Sequence, residues 1–119
     1  MSDPAYTKIS VDDQPIERSI CGFRQRILKR DDGAPASITR LKTFDAQPHW
    51  HARTDEYYYI LAGEGTLFID EEPVPVQAGD CVWIHPGHVH RAEGELESLI
   101  IGIPAFSVED VHSPEELRQ

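Results

Sequence analysis

His49-Trp50-His51-Ala52-Arg53-Thr54-Asp55-Glu56-Tyr57-Tyr58-Tyr59-Ile60-Leu61-Ala62-Gly63 is the stretch on which the reading of this chain turns. On a strand, residues i and i+2 project from the same face. His49 and His51 therefore point the same way. Ala52-Arg53-Thr54-Asp55 is a polar loop, and Glu56 opens a run rich in aromatic and aliphatic residues. If the loop closes an antiparallel hairpin, His51 lies opposite Glu56 and His49 opposite Tyr58, and opposed residues share a face. Two imidazoles and a carboxylate then converge, a donor set that suits a divalent transition ion.

Working outward, short runs of β-branched and aromatic residues recur along the chain. They cover Ile20–Leu28, Ser37–Phe44, His49–His51, Tyr57–Leu61, Thr66–Asp70, Val74–Val76, Cys81–Ile84, Val89–Ala92 and Glu97–Ile103. Gly/Pro/Asp turn chemistry separates them, notably at Ala62-Gly63-Glu64-Gly65, Ala78-Gly79-Asp80, His85-Pro86-Gly87 and Glu93-Gly94-Glu95. Many short strands with such turns read as an all-β sandwich or barrel. A sustained helical period is absent from the interior. A short helical turn is expected at Ser113-Pro114-Glu115-Glu116, with an N-cap Ser followed by Pro.

The chain has 119 residues, one domain's worth, with 11 Lys+Arg against 21 Asp+Glu and a formal charge of −10. That sign disfavours nucleic acid and anionic membrane surfaces as partners. No apolar run approaches the roughly 18 to 20 residues of a membrane span. Met1–Tyr6 carries neither a basic nor an apolar signal region, so the expectation is a cytoplasmic protein. Cys21 and Cys81 sit among apolar residues and read as two small buried thiols in a reducing compartment.

Five of the six histidines, at 49, 51, 85, 88 and 90, fall within 42 residues. A fourth ligand has its best source in His85-Pro86-Gly87-His88-Val89-His90, where His90 opens the next apolar strand. His85 and His88 read as turn residues, and His112 as a tail residue without a specific role. Trp50 and Trp83 read as packing or subunit contacts. Arg24 and Arg26 share one strand face, as do Arg40 and Lys42, and alternating charges of this kind usually mark a solvent face.

The chain resembles the cupin superfamily of small β-barrels. The family's first motif, G-x5-H-x-H-x3or4-E-x6-G, is matched by His49-x-His51, four residues, Glu56, six residues and Gly63. Its second motif, G-x5-P-x-G-x2-H-x3-N, is matched by Gly79, Gly87 and His90 at the right intervals. Thr43 replaces the leading Gly of the first motif, His85 the Pro of the second (Pro86 follows at once), and Gly94 its closing Asn.

The resemblance implies one double-stranded β-helix, a jelly-roll-like barrel of two antiparallel sheets over about residues 20–103. An N-terminal arm over 1–19 and a tail over 104–119 flank it, and a homodimer is expected. The resemblance also implies that His49, His51, Glu56 and His90 bind one divalent metal (Fe, Mn, Ni, Zn or Cu).

Three functions follow as expectations. The first is a metal-dependent oxidoreductase such as a dioxygenase, because the ligand set leaves positions open for a small organic substrate and dioxygen. The second is an isomerase or lyase acting on a sugar or sugar phosphate, with Tyr58 or His88 as the proton carrier. The third is a non-catalytic small-molecule binding module. An arginine facing the pocket favours the second, and a purely apolar wall the first.

Overall fold

A computed structural model describes residues 4–118. The first three residues of the expected arm, and Gln119 of the tail, lie outside them. Seven strands form among the described residues: β1 (Glu17–Ser19), β2 (Gly22–Leu28), β3 (Ser37–Thr43), β4 (Asp55–Ile69), β5 (Glu72–Gln77), β6 (Cys81–Ile84) and β7 (His90–Ile103). All pairings are antiparallel. The expected C-terminal turn is present as a 3-10 turn over Pro114–Arg118. The expected all-β barrel of two antiparallel sheets is what the chain forms.

β4 and β7 organise the barrel, because they pair with each other along most of their lengths and pass through both layers. In one layer the order runs β1-β2-β3-β7-β4, with β6 on the far side of β4. In the other, the C-terminal half of β4 pairs with β5, and the N-terminal end of β7 pairs with His49. The apolar core lies between the layers and includes Leu41, Tyr58, Ile60, Leu67, Leu96 and Ile100.

Two expected turns are strand interiors instead. Ala62-Gly63-Glu64-Gly65 lies within β4 and Glu93-Gly94-Glu95 within β7, where they face one another at Gly63↔Leu96, Glu64↔Glu95 and Gly65↔Gly94. The reason is steric. A Cβ on Gly63 would stand 1.8 Å from the carbonyl oxygen of Glu95, and one on Gly65 2.3 Å from that of Glu93. The glycines let two long strands come close as they bend from one layer to the next. The register also shifts between Ile60 and Ala62. Leu61 is the extra residue of this bulge and is exposed. Inward positions are therefore Glu56, Tyr58 and Ile60 before it, and Leu67 after it.

Candidate metal centre and pocket

His49, His51, Glu56 and His90 come together as the sequence suggests, but by a different route. His49 and Tyr58 do not pair, and neither do His51 and Glu56. Glu56 lies on β4 between Ile84 of β6 and Gly102 of β7. His49 pairs with His90, their N–H and C=O groups exchanging hydrogen bonds of 3.1 and 2.9 Å. The Gly87 N–H donates to the His51 carbonyl at 2.7 Å. The His49–His51 segment thus belongs to the opposite layer from Glu56, and the four side chains meet across the barrel interior. A hairpin would have kept them on one sheet; the jelly-roll crossover sets two sheets face to face.

All four residues are buried, and one ligand atom from each lies within 4.8 Å of the others. Each imidazole has its Nδ1 against a backbone carbonyl: His49 on Gln47 at 3.1 Å, His51 on Asp110 at 2.9 Å, His90 on His88 at 2.9 Å. A carbonyl can only accept, so each Nδ1 carries a proton, and in the neutral ring Nε2 keeps its lone pair. The Nε2 atoms of His51 and His90 and Oε1 of Glu56 are buried without a hydrogen-bond partner. His90 Nε2 lies 2.6 Å and His51 Nε2 3.6 Å from Glu56 Oε1. Neither contact is aligned as a hydrogen bond. Buried polar atoms are normally satisfied. Three orphans crowded around one point fit a shared divalent ion.

The electrostatics agree. Burial, reinforced by the neighbouring His90, pushes the His49 pKa down to about 4. Burial also lowers that of His51. For His90 burial works against the charged form, but the Glu56 carboxylate outweighs it and raises the pKa. Glu56 is driven up by burial and down by His90, and the imidazole prevails. Glu56 and His90 thus each favour the charged form of the other, while burial favours the neutral form of His49 and His51. The three imidazoles and one carboxylate are a donor set for Fe, Mn, Ni, Zn or Cu.

A cavity of about 400 Å³ opens onto His49, His51 and Glu56. Its apolar wall includes Leu41, Ile100 and Phe106. Contrary to the solvent-face expectation, Arg24 and Arg26 line this cavity. Their partners across the ladder are Leu41 and Thr39, two inward positions of β3. Arg26 is held by Glu17 through hydrogen bonds of 2.8 and 3.0 Å. The buried Nε of Arg24 lies 3.4 Å from Glu17 but makes no hydrogen bond. Arg40 and Lys42 alternate with these inward residues of β3, and Arg40 pairs with Glu97.

Tyr58, His88 and His85 fall outside the cavity wall. Tyr58 is in the apolar core, its ring centroid 6.3 Å from that of His90. Burial, together with the Glu56 charge, raises its pKa well above 10. His88 is exposed on the surface and pairs with Asp70. His85 is exposed and stacks on Trp83. Of the two thiols expected to be buried, Cys81 is exposed, being on the outer edge strand β6. Cys21 lines the cavity, its sulfur 4.0 Å from the His49 ring, and burial pushes its pKa up to about 12.

Sequence reasoning missed two functional neighbours, Asp110 and Glu17. Neither belongs to a motif, and each reaches the site only through tertiary contacts. Nor is His112 idle: its Nε2 meets Asp110 at 3.1 Å and its Nδ1 meets Glu116 at 2.7 Å.

A family model described as "Cupin domain" matches residues 41–99, the span that carries all four cluster residues. The chain belongs to the cupin superfamily. A crystal structure of a protein from Planctomyces limnophilus superposes on this cupin with a TM-score of 0.83 at 26% identity, covering 90% of this chain and 96% of that one. A nucleoside dehydratase of Streptomyces superposes with a TM-score of 0.80 at 20% identity, covering 94% and 97%, a likeness of fold alone. In sequence, the cupin is 37% identical over 57 residues to an oxalate-binding protein of Thermotoga maritima, across 44% of this chain and 47% of the relative. The chain spans about half or less of the length of the curated relatives it matches. No helix among the described residues is long and apolar enough to cross a membrane.

Proposed function

We propose that this cupin holds one divalent transition metal through His49, His51, Glu56 and His90. On this reading it is an isomerase or lyase acting on a small organic substrate that carries a carboxylate or phosphate. The observation that carries the choice over a dioxygenase is the cationic wall. Four charged side chains other than the histidines line the cavity, and three of them, Arg24, Arg26 and Lys29, are cations. The fourth, Glu56, belongs to the metal cluster. Glu17 pairs with both arginines and Asp32 with Lys29, which leaves this wall one cation in excess to receive an anion, in a chain of net charge −10.

The bound ion would act as a Lewis acid and polarise a substrate oxygen. The chain's own residues do the rest. Arg24, whose Nε is near Glu17 but makes no hydrogen bond to it, would take the anionic group, while Glu17 holds Arg26 beside it. Leu41, Ile100 and Phe106 exclude water and narrow the cavity. Similarity to an oxalate-binding protein supports a small chelating anion, and the fold of a dehydratase is compatible with a lyase, as an analogy.

Metal content by plasma mass spectrometry tests the first part. Reconstituted wild type and His85→Ala should each carry about one equivalent, and His51→Ala almost none. Equal content in His51→Ala would sink the site. Oxalate titration of manganese-loaded protein tests the second. Arg24→Gln should weaken binding about 10- to 100-fold, the worth of hydrogen bonds to a charged group. Unchanged affinity would return the choice to the oxygenase.

A further inference from the structure

We infer that the C-terminal segment from Phe106 to Glu116 is a strap that sets the metal affinity of the centre by orienting His51, with Asp110 as its positioning residue. The inference rests on the metal reading of the four-residue cluster.

The three imidazoles are held unequally. His49 and His90 find their Nδ1 acceptors two residues earlier, at Gln47 and His88. Any chain that forms these local segments orients those two rings. His51 has no local acceptor. Its Nδ1 donates to the carbonyl of Asp110, 59 residues further on. The strap then grips both sides of His51. On one side the Asp110 carboxylate accepts the N–H of Ala52 at 2.8 Å and of Arg53 at 3.0 Å. On the other, Trp50 and His112 exchange backbone hydrogen bonds of 3.0 Å each. The Trp50 indole N–H donates to the Ser113 carbonyl at 2.8 Å, and the Trp50 ring lies against His112 at a centroid distance of 4.4 Å. The Phe106 ring lies against the imidazole of His51, tilted by 48° with centroids 4.7 Å apart.

Asp110 is itself fixed. It is 3% exposed, and His112 reaches its Oδ1 while Glu116 holds the far side of His112. His51 is therefore the one cluster residue whose tautomer and ring angle depend on a segment that contributes no ligand. Outer partners of metal-bound histidines of this kind typically govern affinity 10- to 100-fold. Coupling of this sort is reciprocal: if the docked strap favours the ion, the ion must favour the docked strap.

The test uses the full chain. Asp110→Ala should lower manganese affinity about 10- to 100-fold, and Asp110→Asn, which retains one accepting oxygen, should recover part of it. Asp110→Ala keeps the main-chain carbonyl that His51 faces but releases its anchors on Ala52 and Arg53, so long-range ¹H–¹⁵N spectra of the metal-free protein should show His51 as the Nδ1–H tautomer in wild type and as a mixture in the variant. The signals of His49 and His90 should not move. Added manganese should slow amide exchange at Ala52, Arg53 and His112. Should Asp110→Ala fail to fold, His112→Phe keeps the stack on Trp50 while removing the hydrogen bonds to Asp110 and Glu116. A several-fold loss of affinity is expected from it. Wild-type affinity in the folded variants, or a His51 tautomer indifferent to them, overturns the strap. If wild type binds no metal at all, the metal reading fails separately, and the tautomer measurement alone decides whether Asp110 orients His51.

Discussion

Two halves of one barrel interior follow opposite rules. Around Leu67, Ile60 and Leu96 the inward side chains are apolar and almost wholly buried. Around His51, Glu56 and His90 they are equally buried, yet Nε2 of each histidine and Oε1 of Glu56 have no hydrogen-bond partner. β4 and β7 run through both halves, so backbone pairing does not account for the difference. What differs is what each half is for. The apolar half removes surface from water and holds the sheets together. The polar half leaves three buried atoms unpartnered around one point, an arrangement compatible with a shared metal ion.

The comparison breaks or sharpens on three measurements. Leu67→Ala should destabilise the protein by about 2–5 kcal/mol in denaturant melts, since a fully buried leucine leaves a cavity as well as losing transfer energy. A loss below about 1 kcal/mol would show that the apolar half does not carry the fold.

The second is acid sensitivity of the metal-free protein. The His49 pKa falls from 6.5 to about 4 on folding. Below pH 6.5 the unfolded chain takes up a proton that the folded one refuses, so this contribution is complete above pH 6.5 and is lost as the pH falls towards 4. Its size is of the order of 3 kcal/mol. His90 contributes with the opposite sign, because Glu56 raises its pKa. Urea melts at pH 7.5 and 4.5 should therefore show a smaller pH difference for His49→Phe than for wild type. Equal slopes would remove His49 from the buried neutral set.

The smallest effect marks the border between the halves. The Ser98 hydroxyl is fully buried without a partner and does not line the cavity. Ser98→Ala should leave stability unchanged or raise it by up to about 1 kcal/mol. A clear loss would mean that this hydroxyl is satisfied in solution, and that the polar half extends further than its orphaned atoms indicate.

Much of this was legible in the sequence. That His49 and His51 act together was legible because i and i+2 share a face on any extended segment, and the resemblance to the cupin motifs implied Glu56 and His90. Strand content was legible from β-branched and aromatic runs. Gly63, Gly65 and Gly94 were misread as turns. A glycine that permits a turn and one that permits close strand approach look alike until the facing strand is known. The inward face of Arg24 and Arg26 was likewise hidden, since strand alternation tells which residues share a face but not which face is covered.

By itself, then, the sequence determined an all-β chain with a His/His/Glu/His set at cupin spacing, because strand periodicity and motif spacing are properties of neighbouring residues. The tertiary structure alone decided that His49 pairs with His90, that the cavity wall is cationic, and that Asp110 holds His51. Those contacts join residues tens of positions apart, and only the bend of β4 and β7 between two layers brings them together.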